Sequence, residues 1–114
     1  MTTIGVGAIP EEATRHLAAM AKALGHPARV RILQLLLERA SCYCGEIVSE
    51  LPFAQATVSQ HLKVLKDAGL IRGTIEGPRV CYCADREQLA SLQELVGDLL
   101  VTAVAPNEEC CGDQ

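Results

Sequence analysis

"QATVSQHLKVLKDAGLIRGTIEGPRVCYCA", residues 55–84, decides how this chain is read. Its first half sets Val58, Leu62 and Leu65 at i, i+4, i+7, the spacing of one apolar helical face. Gln55, Thr57, Ser59, Gln60 and Lys63 fall toward the outside of the same helix, and Gly69 stands where a helix closes. The second half changes period. "LIRGTI" and "VCYCA" read as strands and "EGPR" between them as a solvated tight turn, so a small hairpin follows the helix directly.

Working outward, "EEATRHLAAMAKALG" (residues 11–25) carries Leu17, Met20, Ala21 and Leu24 at helical spacing, with acids at its start and Gly25 at its end. "HPARVRILQLLLER" (residues 26–39) restarts a helix with Pro27 at the first position. Val30, Ile32, Leu33, Leu35, Leu36 and Leu37 make it apolar almost all round, the mark of a buried helix. A short helix is expected over Glu46–Leu51, stopped by Pro52. On the C-terminal side, "REQLASLQELVGDLLVTAV" (residues 86–104) is a long helix with one broad apolar face, and "APNEECCGDQ" is a polar tail. Two short helices across the tight "LPFA" connection form a helix-turn-helix, and the hairpin behind them is its wing. The expected fold is mainly α with a small β-hairpin: a winged helix-turn-helix over residues 1–105 with a mobile cysteine-containing tail over 106–114. The spare apolar faces of the first and last helices predict a homodimer.

Composition narrows the function classes. In 114 residues only 3% are aromatic against 49% hydrophobic, so Leu, Val, Ile and Ala build the core. No apolar run approaches the roughly 18 residues that span a bilayer, and the N-terminus lacks the pattern of a signal peptide. A cytoplasmic protein with no membrane partner is expected. There thiols stay reduced, so the six cysteines favour metal or redox chemistry over a disulfide framework. The net charge of −4 is unevenly spread. Residues 55–84 carry Lys63, Lys66, Arg72 and Arg79 against Asp67 and Glu76, a local excess of positive charge, while the acids concentrate beyond residue 85. An acidic protein can still bind DNA through one basic face.

That face has the right chemistry. Short hydrogen-bonding side chains near the N-terminus of a helix reach base edges in the major groove, and glutamine pairs bidentately with adenine. Gln55, Thr57, Ser59 and Gln60 supply them, while Lys63 and Arg79 can neutralise phosphates, which adds affinity without sequence choice. A solvated helix face with no partner is the plainer alternative.

The stretches "LGHPARVRILQLL", "ATVSQHLKVLKDAGLI" and "EGPRVCYC" resemble the ArsR/SmtB family of winged-helix metalloregulators over about residues 17–100. The resemblance implies a homodimeric repressor on double-stranded operator DNA that lets go when a metal or metalloid binds. It puts Gln55, Thr57, Ser59, Gln60 and His61 on the recognition helix and Arg79 at the wing tip. Ala54 departs from the family, which often starts that helix with serine; a lost cap costs about 1 kcal/mol.

Six thiols point to a soft ion. The family's zinc sensors carry His and Asp on the last helix, which here has no histidine. Two C-x-C pairs are also not the C-x2-C spacing of structural zinc sites. Trivalent arsenic or antimony, as arsenite, methylarsenite or antimonite, is the expected inducer, with no organic cofactor. The candidate ligands are Cys110, Cys111, Cys42 and Cys44. The vicinal Cys110–Cys111 pair lies in a polar tail that packing does not explain. "CYCGEI" resembles the "C-V-C-D-L" motif of the arsenic-responsive branch, offset by one residue. Because i and i+2 lie on nearly opposite sides of a helix, Cys42 and Cys44 can share an ion only if the helix begins at or after them. Cys81 and Cys83 alternate on a strand and read as small hydrophobes on a core face. A thiol-redox switch on the same fold is the alternative. An enzyme is not expected, since no C-x-x-C follows a strand and no basic neighbour activates Cys110. His26 reads as a capping or packing residue.

Overall fold

The computed structural model describes residues 9–39, 43–44 and 51–101, and for Tyr43 and Cys44 the main chain alone. In chain order the elements are α1 (Glu11–Ala23), α2 (Pro27–Leu37), β1 (Tyr43–Cys44), α3 (Gln55–Asp67), β2 (Ile71–Glu76), β3 (Arg79–Ala84) and α4 (Arg86–Val101). The short helix expected over Glu46–Leu51 and the tail over 106–114 lie outside the described residues, apart from Leu51. No described helix is long and apolar enough to cross a membrane.

Local chemistry sets the element ends. Pro27 starts α2, and the ring nitrogen Nδ1 of His26 accepts from the Ala28 N–H at 3.0 Å, so an imidazole does the work of a capping hydroxyl. The sequence α3–Gly69–Leu70 closes as a Schellman motif: the Gly69 N–H donates to the Lys66 carbonyl and the Leu70 N–H to the Leu65 carbonyl, at 2.9 and 3.0 Å. Gly69 takes φ +84°, a left-handed conformation that a side chain would strain, and this sharp stop turns the chain straight into β2. At the other end of the wing, Gly77 (φ +64°) makes the turn between β2 and β3.

One apolar cluster holds the elements together. Met20 from α1, Ile32, Leu33 and Leu36 from α2, Val58, Leu62 and Leu65 from α3, and Leu70, Ile71 and Ala84 around the sheet are buried in it. Leu89, Leu92 and Leu95 of α4 pack against it while remaining partly exposed. None of the α4 residues is fully buried, and Leu99, Leu100 and Val101 at its end are 48%, 56% and 65% exposed.

Two local expectations are corrected. The helix α2 is not buried all round, because Val30 and Leu37 are exposed while Ile32, Leu33 and Leu36 are buried. The sheet has three strands in the order β1–β3–β2, not two. Tyr43 and Cys44 add an antiparallel edge to β3, pairing Tyr43 with Tyr82 and Cys44 with Cys81. Aromatic and small residues alternating over "CYC" suit an extended strand better than a helix start, and β3 offered an unpaired edge.

Candidate nucleic-acid interface

The helix α3 presents one polar side to solvent. Gln55, Thr57, Ser59, Gln60 and Lys63 are all exposed, as expected, and Val58, Leu62 and Leu65 face the core. Ala54 at the N-cap makes no side-chain hydrogen bond, so the first-turn N–H groups have no cap from that residue. Lys63 Nζ pairs with Asp67 Oδ2 at 3.1 Å, with both groups about two-thirds exposed. Such a pair contributes only about 0.3–0.5 kcal/mol on a helix surface and yields readily to a phosphate.

His61 departs from its expected place among the base-reading residues. It is 8% exposed and faces inward. Its ring stands 4.5 Å from that of His26 between centroids, tilted by 50°, and its Nδ1 lies 3.3 Å from Arg29 Nη1. A guanidinium can only donate, so Nδ1 is the acceptor and the ring proton sits on Nε2. Arg29 also donates through Nε to the Ala23 carbonyl at 2.6 Å. One side chain of α2 thus ties the end of α1 to the buried side of α3. Helical periodicity explains the difference: His61 follows Val58 by three residues and Leu65 follows His61 by four, so it belongs to the inner stripe. The pattern is visible in the sequence; the resemblance alone had grouped His61 with the DNA-contacting residues.

Burial lowers the His61 pKa below its ordinary 6.5, and the nearby charges of His26 and Arg29 act in the same direction. The unfolded chain therefore takes up this proton more readily than the folded one. Stability from the neutral ring is full above 6.5 and is lost as the pH falls below it. Thermal unfolding followed from about pH 8 down to about pH 5.5 is expected to show a falling midpoint, with a shallower fall in His61→Gln. Equal pH dependence in the two proteins would refute the role given to this ring.

The wing follows α3 directly. Arg79 is exposed at the start of β3, paired in register with Glu76, and Ile75 is 78% exposed nearby. Asp85 Oδ1 accepts from the Gln88 N–H at 3.1 Å to cap α4, and its other oxygen stands 3.9 Å from Arg72 Nε.

The cysteines are placed differently from what their spacing suggested. Cys42, Cys110 and Cys111 lie outside the described residues. Cys44 is on β1, opposite Cys81. Tyr82 and Ala84 point to the core side of β3, so Cys81 and Cys83, at alternate positions, take the other face. Cys81 is buried, as a small hydrophobe would be, and Cys83 is half-buried, but they lie on the face opposite Tyr82 and Ala84. Cys81 is buried without joining the apolar cluster, and its thiol donates to Glu76 Oε1 at 3.5 Å. Cys83 is disulfide-bonded, against the expectation of reduced thiols throughout. Among the described residues no group of three or more His, Cys, Asp or Glu side chains is arranged to hold a metal.

A model of the family "Bacterial regulatory protein, arsR family" matches residues 26–72. The HTH-type transcriptional regulator CmtR of Mycobacterium tuberculosis is 37% identical over 99 residues, which cover 86% of this chain and 81% of that one. This chain belongs to the ArsR/SmtB family. Solved members share its architecture. The homodimeric winged helix-turn-helix DNA-binding domain of a possible ArsR-family transcriptional regulator from Mycobacterium bovis aligns with TM-score 0.64 and 26% identity, over 90% of this chain and 94% of that one. A "possible transcriptional regulator for arsenical resistance" aligns with TM-score 0.60 and 27% identity, over 81% and 97%. The fold is a winged helix-turn-helix in which α3 is the recognition helix and β2–β3 the wing. The protein is an ArsR/SmtB-family transcriptional repressor.

Proposed function

We propose that this repressor binds its operator as a homodimer and is released by trivalent arsenic or antimony bound to cysteine thiolates. The observation that carries the DNA half is the exposed row Gln55, Thr57, Ser59, Gln60 and Lys63 on α3, beside Arg79 of the wing. Gln55 and Gln60 read base edges, the hydroxyls of Thr57 and Ser59 serve bases or phosphates, and Lys63 and Arg79 meet phosphates. His61 acts from behind by fixing the pose of α3. The exposed Leu99, Leu100 and Val101 support dimerisation through α4 and α1, as does the homodimeric state of the Mycobacterium bovis relative.

The donor set supports the inducer. Six cysteines in 114 residues suit a soft guest, and α4 as described has no histidine that would make a zinc site with Asp98. Cys110 and Cys111, with Cys42 or Cys44 of the same or the partner subunit, are the proposed ligands. Thiolate capture must favour the DNA-incompetent arrangement: turning a 99:1 population into 1:99 takes about a 10⁴-fold affinity difference between the two states.

The test is fluorescence anisotropy of the reduced protein on the DNA upstream of its own coding sequence, titrated with arsenite and methylarsenite. Arsenite is expected to release wild type and to leave Cys110→Ser/Cys111→Ser bound. DNA binding that ignores both arsenicals would refute the inducer. The disulfide at Cys83 favours a second reading, a thiol-redox switch on the same fold. In that case oxidation alone would release the DNA and a thiol reductant alone would restore it.

A further inference from the structure

We infer that Ile75 is a specificity-determining residue of the wing: an apolar side chain that seats in the minor groove beside the segment read by α3, and that rejects G·C pairs there. The inference rests on the DNA half of the proposed function. It adds to that half a residue that carries no charge and makes no side-chain hydrogen bond.

The placement follows from strand register. Along β2, Ile71, Gly73 and Ile75 share one face, and their partners on β3 are Ala84, Tyr82 and Val80. The pairs leave the core in steps. Ile71 and Ala84 are buried in the apolar cluster. At Gly73 the Tyr82 ring lies over the missing side chain, 3.3 Å from where a Cβ would stand, and Lys66 Cδ is 3.6 Å from the same point. This face of the hairpin is therefore the one turned toward α3. One step further out, Ile75 is the most exposed of the large hydrophobic residues described, with half-buried Val80 opposite it.

A single exposed isoleucine is ordinary on a protein surface. This one is paired across the hairpin with a second aliphatic residue, so the apolar face of the sheet continues past the core. It is also held beside a rigid tip. Only Gly77 and Pro78 separate the register pair Glu76 and Arg79, and Gly77 takes φ +64°. Proline fixes its own φ near about −65°, so the two residues match a type II′ turn and little backbone freedom is left to lose on binding. The surroundings are cationic, with Lys66 on the same side of the sheet and Lys63 one turn earlier on α3, in the exposed row itself. An apolar tip continuous with that row and flanked by lysines fits a polyanion better than a second copy bearing the same charges.

Reach and shape choose the groove. From Ile71 to Glu76 the strand runs about 17 Å at about 3.3 Å per residue, more than the roughly 12 Å width of the major groove that holds a recognition helix. Its outer end arrives at the neighbouring minor groove, a slit about 6 Å wide that admits one aliphatic side chain. On the floor of that groove A·T and T·A present acceptors alone, while G·C adds the N2 amino group. Acceptors are covered in either case, so the amino group makes the difference. It stands where the side chain would lie, and isoleucine has no acceptor to replace the water its N–H groups lose. The narrower groove of A·T runs also closes better on the side chain.

The experiment uses the full-length, reduced protein on the DNA upstream of its own coding sequence. Hydroxyl radicals, which cut deoxyribose exposed in the minor groove, locate the flank that the wing protects. Adenines of that flank are then replaced by 2,6-diaminopurine, which adds the N2 amino group and leaves the major-groove pattern intact. Affinities of wild type, Ile75→Ala and Ile75→Thr are read by anisotropy. Ile75→Ala is expected to lose the flank protection and to bind about tenfold more weakly, the low end of what burying an aliphatic side chain supplies. Diaminopurine is expected to weaken wild type by about tenfold and Ile75→Ala by less than about twofold. Ile75→Thr keeps the β-branched shape that suits a strand and adds an acceptor, so it is expected to tolerate diaminopurine. Wild-type affinity and footprint in Ile75→Ala, an equal diaminopurine effect in both proteins, or a protected flank of G·C pairs would overturn the inference. Sedimentation showing that Ile75→Ala no longer dimerises would also overturn it, and would make Ile75 a contact between copies. Each of these results leaves the proposed function standing while wild type prefers the upstream DNA to a scrambled duplex. Wild type without that preference refutes the DNA half of the proposed function, and this inference with it.

Discussion

Leu65→Ala is expected to lower the unfolding free energy by about 2–5 kcal/mol, the range for removing a buried leucine and leaving a cavity behind. Leu65 is fully buried on the inner side of α3, within the cluster that joins α1, α2 and the sheet. Its carbonyl also accepts the Leu70 N–H in the motif that stops the helix, so its side chain and its main chain serve the same corner. Small domains have only about 5–15 kcal/mol in total. Urea unfolding at fixed protein concentration should therefore show a much lower midpoint with an unchanged slope. A midpoint shift worth less than about 1 kcal/mol would mean that the site collapses around the cavity, and that Leu65 is not the anchor of α3.

Gln55→Ala/Gln60→Ala is expected to weaken operator binding by about 2–6 kcal/mol, roughly thirtyfold or more, with little change in stability because both side chains are exposed. The loss should be confined to the specific site. Affinity for unrelated DNA, and the dependence of binding on salt, should stay as in wild type, since neither glutamine neutralises a phosphate. Anisotropy on the upstream DNA and on a scrambled duplex at one salt concentration separates these effects. Equal weakening on both duplexes would place the two residues on the backbone and leave base reading to another part of the domain.

The helix α3 and the hairpin behind it were legible because their signals are local. The 3.6-residue period of Val58, Leu62 and Leu65, the glycine at position 69 and the "EGPR" turn each constrain a few neighbouring residues, and the structure keeps all of them. The exposed row from Gln55 to Lys63 was legible for the same reason, being the complement of the apolar stripe. His61, grouped with the DNA-contacting residues by resemblance, lies instead in the inner stripe that its spacing from Val58 and Leu65 marks. The contact that settles the matter comes from Arg29, thirty-two residues earlier in the chain.

The cysteines show the limit of local reading most clearly. Spacing alone allowed "CYC" at 42–44 to begin a helix and made "CYC" at 81–83 a core-facing strand. Both assignments depend on which segment lies beside which, and pairing across some forty residues leaves no periodic trace in either one. By itself the sequence determined α1 to α4, the hairpin, the polar outer face of α3 and the supply of soft donors, because each is set by the order of neighbouring side chains along the chain. Only the tertiary structure decided that β1 joins β3, that Cys81 and Cys83 turn away from the core, and that His61 turns into it. Each of those depends on long-range contacts, whose energy is gained only when the elements meet.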